Sequence, residues 1–114
     1  MYSALQRYSA LLTWLPDHLR HDLSVDSLAR RAAMSARNFA RLFKQELGKT
    51  PGKHIEDLRL EAARRQLEST SRSTDEIAAA CGLASAEVLR RMFRRRLQIT
   101  PGQYRASFGQ PRPH

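Results

Sequence analysis

The sequence predicts an all-α protein in which two copies of one small helical unit flank a single long helix. Three observations carry that prediction. Apolar residues recur at helical spacing along most of the chain. The stretch SVDSLARRAAMSARNFARLFKQELGKTPG, which starts at Ser24, returns in recognisable form as STDEIAAACGLASAEVLRRMFRRRLQITPG from Ser73. Between the two lies Pro51 to Glu68, where Ile55, Leu58 and Ala62 repeat at helical intervals, as do Leu60, Ala63 and Leu67. Eighteen helical residues span about 27 Å.

Taken in order, residues 3–21 read as a first helix with Leu5, Tyr8, Leu12, Leu15 and Leu19 on one face and Leu11 and Trp14 beside it. Pro16 removes a backbone donor there and is expected to kink the helix or split it. His18 and His21 have no acidic or cysteine partner at metal-binding spacing, so they read as exposed or capping side chains. Ser24 opens a short helix with Leu28, Ala29 and Ala32 on one side and Arg30 and Arg31 on the other. A turn at Met34-Ser35 leads to a helix over Ala36–Leu47, whose inward face is Phe39, Leu42, Phe43 and Leu47. At 100° per residue Arg37, Arg41 and Lys44 gather on the opposite side, and Gly48 ends the helix.

Thr50 and Pro51 start the long helix as N-cap and first-turn proline. After a polar connector at Ser69 to Arg72, Ser73 and Glu76 form a capping box. The helix it opens buries Ile77, Ala78 and Cys81 and stops at Gly82. The next, Ala86–Leu97, turns Leu89, Met92, Phe93 and Leu97 inward and Glu87, Arg91, Arg94 and Arg95 outward. Thr100-Pro101 starts a last helix, with Tyr104 and Phe108 as packing residues, and the tail GQPRPH frays. The expected division is residues 1–50 for the first unit, 51–70 for the linking helix, 71–110 for the second unit and 111–114 for the tail. Each copy alone is too small for confident independent stability, so the linking helix should belong to both cores.

In the repeat, Ser35 matches Ser85, Arg41 matches Arg91, Phe43 matches Phe93, and Thr50-Pro51-Gly52 matches Thr100-Pro101-Gly102. Upstream, Ser24 pairs with Ser73 and Leu28 with Ile77, so the second turn is one residue longer.

Composition narrows the partner. A net charge of +9 over 114 residues argues for a polyanion, most simply nucleic acid. The charge is uneven: no acidic residue follows Glu87, whereas Arg90, Arg91, Arg94, Arg95, Arg96, Arg105 and Arg112 do. A basic membrane-surface helix would need a wide apolar face left exposed, and here the apolar positions are committed to cores. No run is long enough to span a bilayer and no signal-peptide pattern opens the chain. Cys81 is the only cysteine, which leaves no disulfide framework or thiolate metal cluster. A cytoplasmic, nucleoid-associated protein is expected, without cofactor or metal. No paired carboxylates, nucleophile with base, or phosphate-cradling glycine loop suggests an enzyme.

A short helix, a tight turn and a second helix with a basic outer face is the sequence form of a helix-turn-helix. In such a unit the first helix buttresses the second, which enters the major groove and brings side chains to base edges. Arg can donate bidentately to guanine, Asn can pair with adenine and Glu can accept from cytosine. The first copy supplies Arg37, Asn38 and Arg41 for this, and the second Glu87, Arg90 and Arg91. Ser35, Ala36, Ala40, Ser85 and Ala86 complete the groove-facing sets, the alanines keeping the approach uncrowded. Lys44, Arg94, Arg95 and Arg96 lie where phosphates would run and are assigned to positioning. Glu87 either reads or rejects a base, or complements the positive helix N-terminus.

Here a resemblance becomes specific. LSVDSLARRAAMSARNFARLFKQELGKTP, then LRLEAARRQLE, then IAAACGLASAEVLRRMFRRRLQITPGQYR resemble the C-terminal DNA-binding domain of AraC/XylS-family bacterial transcription regulators, over nearly the whole chain. The run from Gly82 to Arg105 is the most diagnostic. The resemblance implies seven helices in two homeodomain-like helix-turn-helix units joined by a long helix. It also implies double-stranded operator or promoter DNA as ligand, RNA polymerase as a partner, and an upstream sensor domain. LRLEAARRQLE with ASAEVLRRMFRRRL looks most like regulators whose sensor is amidotransferase-like. Three departures stand out: Leu83 at a frequent aromatic, Val88-Leu89 in place of an aromatic pair, and Gln98 in place of a glycine, which predicts a less sharply defined end to that helix.

Two rival readings remain open at this point, a helical protein-interaction module for an acidic partner and a nonspecific architectural DNA binder. On the favoured reading the two reading helices enter successive major grooves, which recur every ~34 Å, and the linking helix acts as a ruler between them.

Overall fold

Hydroxyl side chains set where most of the helices begin. The computed structural model describes residues 4–109, with side chains from Tyr8 onward. It contains α1 (Ala4–Trp14), a 3-10 turn (Leu15–Asp17), α2 (Val25–Arg31), α3 (Ala36–Leu47), α4 (Pro51–Ser69), α5 (Thr74–Ala80), α6 (Ala86–Leu97) and α7 (Pro101–Phe108). No strand occurs among the described residues. Ser24, Ser35, Ser73, Ser85 and Thr100 each sit in extended backbone, with the side-chain oxygen accepting from the amide three residues on. Thr50 Oγ1 does the same for Lys53 N at 3.2 Å. These caps satisfy amides that would otherwise lack a partner in the first turn. The box expected at Ser73 and Glu76 is present, and Thr100 with Gln103 forms a second one.

The first helix is shorter than its apolar pattern suggests. It ends at Trp14, and Pro16 falls in the 3-10 turn that follows, so the proline splits the segment. His18 then stacks on Trp14, with ring centroids 4.0 Å apart, and its Nδ1 lies 2.6 Å from the Trp14 carbonyl oxygen. The Arg31 guanidinium stands over the same indole at 3.6 Å, fastening α2 to this corner. His18 is thus a packing residue, and no group of three metal-ligating side chains occurs among the described residues.

The chain divides into two compact units between Leu58 and Arg59, inside α4. In the first unit Tyr8, Phe39 and Phe43 form an aromatic trio with centroids 5.5–5.7 Å apart, near the usual spacing for edge-to-face rings. Leu11, Leu15, Leu19, Leu23, Leu28, Ala29, Ala32 and Ile55 are buried in the same unit. Leu12 is only half-buried, and the Leu5 side chain lies outside the described residues. In the second unit Leu60, Ala63 and Leu67 of α4 join Ile77, Ala78, Cys81, Leu89, Met92, Phe93 and Tyr104 in one core, with Leu83 and Leu97 packed against it. The two ends of α4 therefore serve different cores, as the size of the repeats requires.

Both inter-helix turns close in the same way. Met34 N donates to Ala29 O and Ala33 N to Arg30 O; Leu83 N donates to Ala78 O and Gly82 N to Ala79 O. This is the Schellman pattern, and it places its central residue in the left-handed region. That residue is Gly82 at φ 79° in the second unit and Ala33 at φ 56° in the first. Four residues separate α2 from α3 and five separate α5 from α6, which is the single-residue insertion read from the repeat.

The ends of the two basic helices also match. Gly48 (φ 77°) donates its N–H to Lys44 O, and Gln98 (φ 60°) donates its own to Arg94 O. The end at Gln98 is therefore as well defined as the glycine end, contrary to the expectation. Gln98 Nε2 donates to Arg95 O at 3.2 Å and helps hold the side chain there.

Tyr104 is buried as expected, while Phe108 is not a core residue: it is 58% exposed. Phe108 is the last residue of α7, and its ring packs on that of Tyr104 at a centroid distance of 4.8 Å. The expected tail, residues 111–114, lies outside the described residues.

Candidate nucleic-acid interface

A polar row on a helix can meet a ligand only if the opposite row is firmly buried. In α3 Phe39 and Phe43 are essentially inaccessible, and in α6 Leu89, Met92 and Phe93 are. Burial of such side chains stabilises by roughly 1.5–3 kcal/mol each, which fixes how each helix is rolled. Arg37, Arg41 and Lys44 are consequently exposed on α3, as are Glu87, Arg90, Arg91, Arg94 and Arg95 on α6. Ala36, Asn38, Ala40 and Ala86 are half-buried at the margins of these rows, and Ser35 and Ser85 are exposed at the helix starts. Every candidate residue thus lies on or beside the solvent-facing side of its helix.

The rows differ in chemistry. On α3 the Arg41 guanidinium donates from Nη2 to Asn38 Oδ1 at 2.7 Å. That bond leaves the Asn38 amide hydrogens as donors and holds Arg41 in one orientation. Neither Arg37 nor Lys44 forms an ion pair among the described residues. On α6 Glu87 Oε2 accepts from Arg90 Nη2, and Glu87 Oε1 lies 3.6 Å from Arg91 Nε. Arg94 forms no ion pair among the described residues, and Arg96, expected on the surface toward phosphates, is half-buried. The i,i+3 spacing of Asn38 and Arg41, and the i,i+3 and i,i+4 spacings from Glu87, are the sequence signals for these contacts.

Ser35 Oγ and Ser85 Oγ accept from Asn38 N and Val88 N, each at 3.2 Å. A hydroxyl used this way retains its own hydrogen for a further acceptor. Behind the second row, Tyr104 and Arg105 join α7 to the end of α4. Arg64 Nε donates to the Tyr104 hydroxyl at 3.0 Å, and that hydroxyl donates to Glu68 Oε1 at 3.1 Å. Arg105 donates to the carbonyls of Leu67 and Thr70 at 3.4 and 3.1 Å, so its cation meets the negative end of α4. Arg105 is therefore a structural residue, although its charge counted toward the basic run.

No described helix is long and apolar enough to cross a membrane.

Comparison with known proteins gives concordant results. The family described as "Helix-turn-helix domain" matches residues 28–107. The chain is 52% identical over 84 residues to the HTH-type transcriptional regulator Rv1931c of Mycobacterium tuberculosis, covering 74% of this chain and 32% of the relative. It is 32% identical over 103 residues to the HTH-type transcriptional activator RhaS of Escherichia coli, covering 90% of this chain and 37% of that protein. The chain thus spans about a third of the length of these relatives. Among solved structures, the DNA-binding domain of AdpA in complex with a target DNA shares 38% identity at a TM-score of 0.83, over 88% of this chain and 90% of that one. An AraC-type DNA-binding regulator from Chromobacterium violaceum shares 34% identity at a TM-score of 0.81, over 96% and 97%. Two helix-turn-helix units in one all-helical chain, with these relatives, place it plainly: the protein belongs to the AraC-type helix-turn-helix family of transcriptional regulators, not to a family of enzymes.

Proposed function

We propose that this chain is the sequence-specific, double-stranded DNA-binding domain of a bacterial transcription regulator, with α3 and α6 each entering a major groove. The observation that carries the reading is the repeated arrangement itself. Each unit rolls an aromatic and aliphatic row inward and turns cationic side chains outward at matching positions, Arg41 and Arg91 among them. The likeness to a DNA-binding domain solved with its target DNA supports it.

On this reading Arg37, Asn38 and Arg41 of α3, with Arg90 and Arg91 of α6, meet base edges. Ala36, Ala40 and Ala86 leave room for close approach. Lys44, Arg94 and Arg95 meet phosphates, as do the free hydroxyl hydrogens of Ser35 and Ser85. The reading keeps residues 1–50 and 71–110 as the two helix-turn-helix regions and 51–70 as the linking helix. That one relative is named a transcriptional activator supports RNA polymerase as the protein partner. A cytoplasmic, nucleoid-associated location and control by a sensor domain belong to the same proposal.

The test is selection of bound sites from a random duplex library, followed by titration at several salt concentrations. The expected result is enrichment of a defined sequence, bound about 10³-fold or more tightly than random duplex. Affinity should also fall steeply with salt. Binding without enrichment would make the chain an architectural DNA binder. Failure to bind, or a flat salt response, would favour an acidic protein partner instead.

A further inference from the structure

The two basic helices are equivalent by sequence and by fold, yet one position reverses charge between them. Ser35 and Ser85 cap α3 and α6 in the same way, so Arg37 and Glu87 occupy the same place two residues beyond the cap. Arg41 and Arg91 are matched likewise, and Arg90 takes the place of Ala40. On α3 the matched arginine is held by a neutral amide, Asn38 Oδ1, at 2.7 Å. On α6 Glu87 uses both carboxylate oxygens on its own arginines, one on Arg90 Nη2 and the other 3.6 Å from Arg91 Nε. All three side chains stay accessible, at 49% for Glu87, 53% for Arg90 and 71% for Arg91.

From this geometry we infer that Glu87 is a positioning residue that sets the sequence specificity of the second unit by holding Arg91 and Arg90. The inference deepens the DNA-reading function above and rests on it. A guanidinium approached at Nε keeps both terminal nitrogens for an acceptor pair such as guanine O6 and N7. Glu87 therefore aims the Arg91 fork and limits its search over rotamers. The same carboxylate discourages phosphate capture, because a phosphate taking either arginine must approach the negative charge of Glu87. A base edge makes no such demand. Glu87 thus lowers affinity for DNA at large more than affinity for the correct site.

The experiment compares wild type with Glu87→Gln and Glu87→Ala. It measures affinity for the selected site and for random duplex over a salt series, and repeats site selection with each variant. Circular dichroism and the melting temperature check that α6 still folds, since Glu87 also lies near the positive end of that helix. The expected result is tighter binding to random duplex by both variants. The ratio of specific to random affinity should fall about fivefold or more, with preference relaxed at the position read by Arg91. An unchanged ratio in folded variants would overturn the inference and leave Glu87 as a helix-end charge. Loss of a cytosine preference at one position, with affinity for random duplex unchanged, would overturn it in favour of direct reading. If wild type itself selects no site, the DNA-reading function fails, and this inference with it. If wild type selects a site and the ratio survives Glu87→Gln, only the inference fails.

Discussion

Gly48 and Gln98 terminate equivalent helices in the same left-handed conformation, at φ 77° and 60°, which makes an exchange between them informative. A side chain in that region costs an L-residue about 1–2 kcal/mol, and glycine avoids it. The greater freedom of glycine in the unfolded chain offsets about 0.4–1 kcal/mol of that gain. Nothing lies within 4 Å of a Cβ built on Gly48, so Gly48→Ala should meet only the backbone penalty, with no steric clash. Gly48→Ala is thus expected to destabilise by about 1 kcal/mol. Gln98→Gly should stabilise by a similar amount, less the small contribution of the exposed Nε2 bond to Arg95 O at 3.2 Å. For a domain of this size 1 kcal/mol corresponds to about 4–8 °C in melting temperature. Urea denaturation followed by circular dichroism measures both variants against wild type. A Gln98→Gly variant less stable than wild type would refute the reasoning, because it would mean that the glutamine side chain stabilises its turn more than the strained backbone costs. A neutral Gly48→Ala would refute it equally.

Two further perturbations probe one unit each. Tyr104→Phe keeps the buried ring, 5.6 Å from Phe93, but removes the hydroxyl between Arg64 and Glu68. Hydrogen bonds to charged groups contribute about 1.5–3 kcal/mol, and both partners remain within reach of water, so a net loss of about 1–2 kcal/mol is expected in urea denaturation. A variant as stable as wild type would show that the bridge contributes nothing. In the first unit, burial holds the His54 imidazole below its ordinary 6.5; Lys49 adds to the effect and Asp57 opposes it. Its Nδ1 is buried with no hydrogen-bond partner among the described residues, and Phe43 packs edge-on at 5.7 Å. The folded chain binds this proton more weakly than the unfolded chain. The His54 contribution is therefore complete above pH 6.5 and is lost as pH falls through 6.5 toward the lowered folded value. His54→Leu should flatten the decline in stability on acidification in that window. An identical pH profile for variant and wild type would remove His54 from the account.

Much of the fold was legible because its determinants are local. An N-cap hydroxyl bonds an amide only three residues on, so Ser24, Ser73 and Thr100 marked helix starts correctly. The apolar rows of α3 and α6 likewise fixed which residues face solvent. Pro16 was recognisable as a disruption, but choosing between a kink and a stop depends on packing that no local pattern records. Gln98 was misjudged because sequence preference for glycine at a left-handed site says nothing about whether another residue is forced into it by the TPG segment and core that follow. The Tyr104 hydroxyl meets partners 40 and 36 residues away, and Arg105 reaches carbonyls 38 and 35 residues away. Those contacts exist only once α7 has docked on α4. At the interface, the exposed positions were readable from helical phase. The division of labour among them was not, since it depends on which guanidinium the Asn38 and Glu87 oxygens accept from.

The central claim is that α3 and α6 read DNA through equivalent arginines. The most direct measurement is the affinity of Arg41→Ala and of Arg91→Ala for the selected site and for a panel of single-base variants of it, with helix content checked in parallel. Each substitution should cost about 1–3 kcal/mol of binding and relax preference in one half of the site, a different half for each arginine. An equal loss on every sequence, or no loss from a folded variant, would contradict the claim.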